Sequence, residues 1–333
     1  MKNSDPPIAD AAHHHAPLSS LPKRLTLLFC PGGDEKIARP MEAWVQALVE
    51  EGGGRLVCKE MKDRNQPFLP DLSLSTGTSS SVHYHFVPEG PEIPVFRDFL
   101  WEVASQDDPE RDEPVGPGQT GPTRELLLFV STHCPNCPRA VRTVQALARK
   151  LPNLSAHLFE AMLDTDLAER HAVRSVPTLL IDRELRYVGS LDEEKLFSIL
   201  RTEDPESLLH EKIRQQIKGG SALEAAEWIA GGGDPSFLAP DLGKSTFEER
   251  IALLLALEEA LEVDPRCLDR MVDPLLPHLE TGDASVRGDI ADLLGKIGDR
   301  RALPSLKRLC RDPDPNVVEA ATEAVEAIEQ AEP

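Results

Sequence analysis

The tetrapeptide CPNC (Cys134–Cys137) stands between two segments that leave little freedom for the fold around it. Ahead of it, ELLLFV (Glu125–Val130) is a short, uninterrupted apolar run, the pattern of a strand buried on both faces. Behind it, Ala140, Val141, Val144, Leu147, Ala148 and Leu151 recur at three- and four-residue spacing, while Arg139, Arg142, Arg149 and Lys150 take other positions. This predicts an amphipathic helix over Pro138–Leu151. A CxxC pair at a strand-to-helix turn has a chemical reason. The thiolate is the reactive species, and the unpaired N–H groups and positive end of a helix favour it, lowering a thiol pKa from about 8.5 toward roughly 3.5–7.5. Cys134 is then the exposed attacking nucleophile near the N-cap, and Cys137, one turn in and more buried, is the resolving thiol. Pro135 suits the first helical turn, whereas Pro138, further in, is expected to remove a donor and bend the helix.

The pattern continues with LSAHLF as a strand, a short helix over Asp164–His171, PTLLID as a strand, an edge strand over Arg186–Val188 and a helix over Asp192–Leu200. That order is βαβαββα. The preceding region repeats it weakly. LTLLF is a strand, Pro40–Glu51 a helix and RLVCKEM a strand, and VHYHFV and PEIPVFRDFLWEVA follow as strand and helix. The reading is two tandem copies of one small α/β unit. The nearest approach to CPNC in the first copy is CPGG at Cys30, which lacks the second sulfur, so that copy is expected to be inactive.

Forty residues beyond Cys137 the chain reads SVPTLLID, with Pro177 opening the strand. CPNC followed by this segment resembles the thioredoxin superfamily. The resemblance implies a cis Val176–Pro177 bond beside the sulfurs, with Val176 and Pro135 available to a substrate chain. An inactive unit carrying VPEGPEIPVFRDFLWEV before an active one carrying HCPNCP is similar, over about Leu21–Leu200, to two relatives. These are the N-terminal domain of the alkyl hydroperoxide reductase flavoprotein subunit and the archaeal-type protein disulfide oxidoreductases. In the former a glutamate from the inactive unit lies near the dithiol, which makes Glu92, in GPE, the candidate proton acceptor for Cys137. Thioredoxin's own buried aspartate, six residues before its first cysteine, is here Leu128. No GxGxxG follows a strand, so no bound cofactor is expected beyond the redox-active disulfide Cys134–Cys137. Electrons are expected from a separate flavin- and NAD(P)H-dependent, thioredoxin-reductase-like partner.

The last third is helical and internally repetitive. Asp283, Val286, Ile290, Leu294 and Ile297 fall on Asp314, Val317, Ala321, Val325 and Ile328, each 31 residues apart. A helical hairpin repeated this way buries its apolar face only by stacking on its neighbours. The pattern over Val272–Glu329 resembles HEAT repeats, and the helices from Asp204 to Leu261 are expected to stack beneath it. The domain organisation is therefore a disordered tail over 1–20, an inactive thioredoxin-like unit over 21–104 and a Pro/Gly-rich linker over 105–123. The active unit over 124–202 and an all-α HEAT-like domain over 203–331 follow.

The formal charge of −21 argues against a nucleic-acid partner, since phosphate binding needs clustered Lys and Arg. It is uneven: residues 122–202 hold 11 basic and 10 acidic side chains, and residues 203–333 hold 14 and 28. No apolar run approaches the ~18 residues of a membrane span. The first 20 residues lack the charged and apolar regions of a secretory signal, so a cytoplasmic location is expected.

A structural zinc site needs four ligands, and no second CxxC or HxxxH supplies them. His13–His15 read as incidental, His133 stands level between a thiolate-stabilising role and none, and Arg139 and Arg142 read as a solvated basic face. Cys30 and Cys58 read as small buried hydrophobes, and Cys267 and Cys310 receive no role. The function expected is a thiol-disulfide oxidoreductase that reduces protein disulfides through Cys134 and Cys137. A peroxiredoxin is one candidate client, and the HEAT-like region docks partners. The alternatives are a redox-sensing HEAT-repeat scaffold and a protein disulfide oxidase or isomerase.

Overall fold

The computed structural model describes residues 16–61, 67–76, 79–106 and 122–330. They form two compact units, Met1–Asp204 and Pro205–Pro333. The tail before residue 16 and the linker between 107 and 121 lie outside the described residues.

The first unit is built on one continuous sheet. Its strands are β1 (Leu25–Cys30), β2 (Leu56–Glu60), β3 (Asp71–Ser75), β4 (Ser81–Tyr84), β5 (Arg124–Val130), β6 (Leu154–Glu160), β7 (Thr178–Ile181) and β8 (Leu185–Val188). They lie in the order β2-β1-β3-β4-β6-β5-β7-β8. Each half repeats one scheme: first and second strands parallel, then third antiparallel to first and fourth antiparallel to third. The tandem α/β units are thus joined edge to edge, through parallel pairing of β4 with β6 from Ser81↔Ser155 to Tyr84↔Leu158. β5 lies inside the sheet, and Leu126–Val130 are all fully buried, which is why the sequence there is apolar without alternation.

The helices are α1 (Glu35–Glu51), α2 (Glu92–Ser105), α3 (Cys137–Lys150), α4 (Thr165–Arg170) and α5 (Glu193–Arg201). α3 packs against α2 and α5 and lies over β4 and β6, so it bridges the junction of the halves. On a second cluster, α4 supplies Leu167 and Ala168 against Leu127, Phe129, Phe159 and Leu180. Side-chain oxygens open three of these helices: Asp34 accepts from Lys36 N, Asp164 from Leu167 N and Asp192 from Lys195 N.

The structure corrects four expectations. Residues 16–20 belong to the fold, because Leu18 is fully buried and Arg97 Nη2 donates to Ala16 O at 3.0 Å. β3 had no sequence signal, since DLSLS carries only two large apolar side chains. α1 starts at Glu35, where Asp34 caps it, and Pro40 sits inside the helix. Pro138 is the second residue of α3, where its missing N–H has no intrahelical acceptor to lose, so it has no bend to impose.

The seam between halves holds a run of histidines. His85 Nδ1 meets Pro70 O at 2.8 Å, His85 Nε2 meets His157 Nδ1 at 3.0 Å, and His157 Nε2 meets Ser155 Oγ at 3.0 Å. Because a carbonyl only accepts, the chain has one consistent direction: Ser155 donates to His157, His157 to His85 and His85 to Pro70, with both rings neutral. Burial accordingly depresses the His85 pKa to about 4 and that of His157 to about 2, with neighbouring histidines adding to the depression. His83, stacked on His157, is held by Asp71, whose Oδ1 and Oδ2 lie 3.0 Å from Nδ1.

The second unit is all helical among its described residues. It comprises α6 (Pro205–Lys218), α7 (Ala222–Ala230), α8 (Ala239–Lys244), α9 (Phe247–Val263), α10 (Val272–Leu275), α11 (His278–Thr281), α12 (Ala284–Ile297), α13 (Leu303–Leu309) and α14 (Pro315–Gln330). One core runs through it from Ile213 to Ile328. α12 and α14 are the two helices related by the 31-residue repeat, and they pack closely where Gly295 faces Ala324: a Cβ on Gly295 would lie 2.8 Å from the Ala324 Cα. The repeated aspartates have a local task, Asp283 accepting from Val286 N and Asp314 from Asn316 N, each at 2.9 Å. Cys267 and Cys310 are half-buried against this core.

Candidate active site

Three adjacent strands, β4, β6 and β5, run parallel, and their carboxyl ends gather the groups that matter. The CPNC loop leaves β5 at Ser131, β6 ends at Glu160, directly across from Val130, and the chain leaving β4 leads to α2, whose first residue is Glu92. Pairing of the halves along β4 and β6 therefore brings a first-half carboxyl to a second-half dithiol.

The Cys134 N–H donates to Ser131 O at 2.9 Å and the Cys137 N–H to Cys134 O at 3.3 Å, which curls the loop into the start of α3. Both cysteines are free thiols, Cys134 half-buried and Cys137 with no exposed surface. The Val176–Pro177 bond is cis, and Cys134 Sγ donates to Val176 O at 3.6 Å. Pro177 is buried, Val176 half-buried and Pro135 exposed. Burial pushes the Cys137 thiol far above its ordinary value; the neighbouring Cys134 and the negative charge of Glu92 push the same way, and the Ser131 backbone opposes them.

Glu92 is 3% exposed, and neither carboxyl oxygen has a hydrogen-bond partner. Burial first, then the charges of Glu160 and Glu89, raise its pKa to about 7. Glu160 is also buried, and its Oε2 accepts from Met162 N at 2.7 Å and Leu163 N at 2.8 Å. Sequence reasoning passed over Glu160, because a lone acid at a strand end carries no local signal. Leu128 is fully buried inside β5, so no acid stands at that strand position.

The other candidates fall outside the dithiol. His133 is exposed and meets Thr132 Oγ1 at 3.3 Å, and Arg142 pairs with Asp98 of α2 at 3.2 Å. Cys30 is the last, buried residue of β1, so the sulfur of CPGG belongs to the strand and not to the loop beyond it. What lies opposite the first half's cis Leu69–Pro70 peptide is Gly33, and a Cβ there would come within 2.0 Å of Leu69 O. That loop has closed onto the carbonyl and leaves no room for a thiol. Cys58 is half-buried, and burial and Glu60 raise its pKa. Among the described residues, no group of three or more His, Cys, Asp or Glu side chains is placed to hold a metal ion, and no helix is long and apolar enough to cross a membrane.

A half-buried thiol lies against the Val176 carbonyl that precedes a cis-proline, a second thiol is buried at a helix start, and residues 125–201, which hold both, match the family model for the thioredoxin domain. Residues 248–333 match the model for HEAT repeats. Residues of the chain are 28% identical over 78 positions to a thioredoxin of Methanocaldococcus jannaschii, covering 23% of this chain and 92% of that protein. A probable thioredoxin of Methanothermobacter thermautotrophicus is 27% identical over 79 positions, covering 23% and 93%. Among solved structures, the NTD_N/C domain of alkylhydroperoxide reductase AhpF from Enterococcus faecalis is similar with a TM-score of 0.45 and 21% identity, over 55% of this chain and 95% of that one. A protein disulfide oxidoreductase from Aeropyrum pernix gives 0.42 and 17%, over 55% and 87%. The protein thus joins a mixed α/β, thioredoxin-like region to a helical HEAT-repeat region, and its thioredoxin relatives support a thiol-disulfide redox role.

Proposed function

We propose that the protein is a thiol-disulfide oxidoreductase that reduces protein disulfides through Cys134 and Cys137. The observation that carries the reading is the asymmetry of the two thiols: Cys134 reaches the surface beside Val176 O, and Cys137 has none. The Cys134 thiolate attacks one sulfur of a client disulfide and expels the other as a thiolate, leaving a mixed disulfide. Cys137 then loses its proton and attacks Cys134 Sγ, which releases the client dithiol and leaves the Cys134–Cys137 disulfide. A thiol so deeply buried needs a base at hand, and Glu92 is that base. Passing the proton from Cys137 to Glu92 also removes the carboxylate charge that opposes the new thiolate, so the buried site keeps its net charge. Electrons return from a separate flavin- and NAD(P)H-dependent reductase of the thioredoxin-reductase type. The HEAT-like region docks the partner, and the setting is the cytoplasm. Disulfide-bearing clients, a peroxiredoxin among them, are the substrate class.

The test is catalysis with the full chain. Supplied with such a reductase and NADPH, the protein reduces insulin over many turnovers, Cys134→Ser abolishes this, and Cys137→Ser accumulates the mixed disulfide on Cys134. Stoichiometric oxidation without turnover would instead identify a redox sensor, and full activity of Cys134→Ser would sink the assignment.

A further inference from the structure

Glu92 and Glu160 come from different halves of the sheet, yet both end up buried at the carboxyl edge of the three parallel strands. Their environments differ sharply. Glu160 has two backbone donors on one oxygen, Met162 N and Leu163 N, in the short charge-assisted range. Glu92 has no donor at all. Of two neighbouring carboxyls, the one without donors is the harder to ionise, because like charges in a poorly solvated site resist ionising together. The negative charge of Glu160 adds to burial in raising the Glu92 carboxyl, and the charge of Glu92 in turn raises the Cys137 thiol.

We propose that Glu160 is a positioning residue of the dithiol site: clamped by the Met162 and Leu163 N–H groups, it confronts the unpartnered Glu92 carboxyl with a fixed negative charge and thereby tunes the base that receives the Cys137 proton. This rests on the proton-acceptor role given to Glu92 above. The logic is one of matching. An ordinary carboxylate is too weak a base for a thiol raised far above its normal range, whereas one titrating at about 7 is stronger and still partly ionised at neutral pH. The other groups facing Glu92 do not substitute for Glu160. Glu89 is exposed on its own loop, so solvent and salt screen it. Tyr84 of β4 is buried, its hydroxyl accepts from Gln145 Nε2 at 2.6 Å, and its pKa is driven above the ordinary tyrosine value, so it stays neutral. Asp98, further along α2, is paired with Arg142.

The experiment is a 13C titration of the glutamate side-chain carboxyl carbons in the full-length protein, with the Glu92 signal assigned by its loss in Glu92→Gln. In Glu160→Gln, which keeps an acceptor for both N–H groups, the Glu92 midpoint is expected to fall by about one pH unit. An unmoved midpoint overturns the proposal. A measurement on the unmodified chain covers the case in which that variant does not fold. Raising salt from about 0.05 to about 0.5 M screens Glu89 but not buried Glu160, so the Glu92 midpoint should hold. A midpoint that drops toward the ordinary carboxylate value assigns the field to Glu89 and also overturns it. The kinetic readout is resolution of a preformed Cys134 mixed disulfide in single turnover against pH. Its acidic limb should move with the Glu92 midpoint in Glu160→Gln and vanish in Glu92→Gln, where adding Glu160→Gln changes nothing further. If the carboxyl signal shifts while resolution ignores Glu92, it is the proton-acceptor role that has failed, and the tuning assigned to Glu160 falls with it.

Discussion

Glu92 is expensive to keep. A carboxyl with no partner, buried in the folded chain and titrating at about 7 against an unfolded value of 4.5, binds its proton more tightly in the folded state. Stability linked to it is therefore full below about pH 4.5 and is lost as pH rises through about 7, the cost levelling off at about 3 kcal/mol. Glu92→Gln is expected to leave urea stability at pH 5 nearly unchanged and to raise it by about 2–3 kcal/mol at pH 8. Equal effects at both pH values would show that the carboxyl is not where its titration matters. This is also where the limit of reading a sequence lies. Cys134 and Cys137 are legible because strand, CxxC and helix are contiguous, and their chemistry is local. Glu92 became a candidate only through resemblance, and Glu160 not at all. Their meeting depends on which strand edges pair, and single residues do not encode that.

Among the elements, the junction of β4 and β6 decides the most. The pattern VHYHFV reads as a strand, and its alternation puts His83 and His85 on one face; nothing in it reveals that His157, 72 residues beyond His85, completes the chain of rings. The direction of those hydrogen bonds requires neutral imidazoles, which makes the seam acid-sensitive. His85 titrates at about 4 in the fold against 6.5 unfolded, so the unfolded chain takes up its proton first. Stability is then full above about pH 6.5 and falls as pH drops toward about 4, by about 3 kcal/mol from His85 alone. Urea unfolding of the full chain at pH 7 and pH 4.5 should register this loss, and His85→Gln, less stable at pH 7, should lose less on acidification. An unchanged pH slope in the variant would refute the assignment. The first half's loop makes a second, independent prediction. Gly33 has φ +76° and abuts Leu69 O, so Gly33→Ala is expected to destabilise by about 2–4 kcal/mol, readable as a lowered thermal midpoint, whereas Gly54→Ala, also at positive φ but in open space, should cost only about 1 kcal/mol. The same close approach leaves no room for a thiol at Gly33, and the one sulfur of CPGG belongs to the strand.

At the scale of the whole chain, every group assigned to the dithiol chemistry, Cys134, Cys137, Val176, Pro177, Glu92 and Glu160, lies in Met1–Asp204, and Pro205–Pro333 has a core of its own. The end of the first unit is fastened internally: Arg124, at the start of β5, donates to Leu200 O and Thr202 O and pairs with Asp182 at 2.7 Å. A chain ending at Asp204 keeps all of these contacts. The helical unit holds most of the excess negative charge, with 28 acidic against 14 basic residues over 203–333, and its buried Arg250 is spent internally on Asp289 and Ser285. The division of labour we propose puts the chemistry in one unit and the choice of partner in the other. Truncation after Asp204 is therefore expected to leave the rate of insulin reduction within about twofold of the full chain, because insulin needs only an accessible thiolate and the Val176 carbonyl beside it. For a client that docks on the acidic helical unit, truncation should raise KM and leave kcat unchanged, and in the full chain that KM should rise with salt as the charges are screened. Loss of insulin reduction in a truncated chain that still melts cooperatively would mean that the helical unit contributes to the chemistry itself, and a KM for the docked client indifferent to both truncation and salt would remove the helical unit from partner selection.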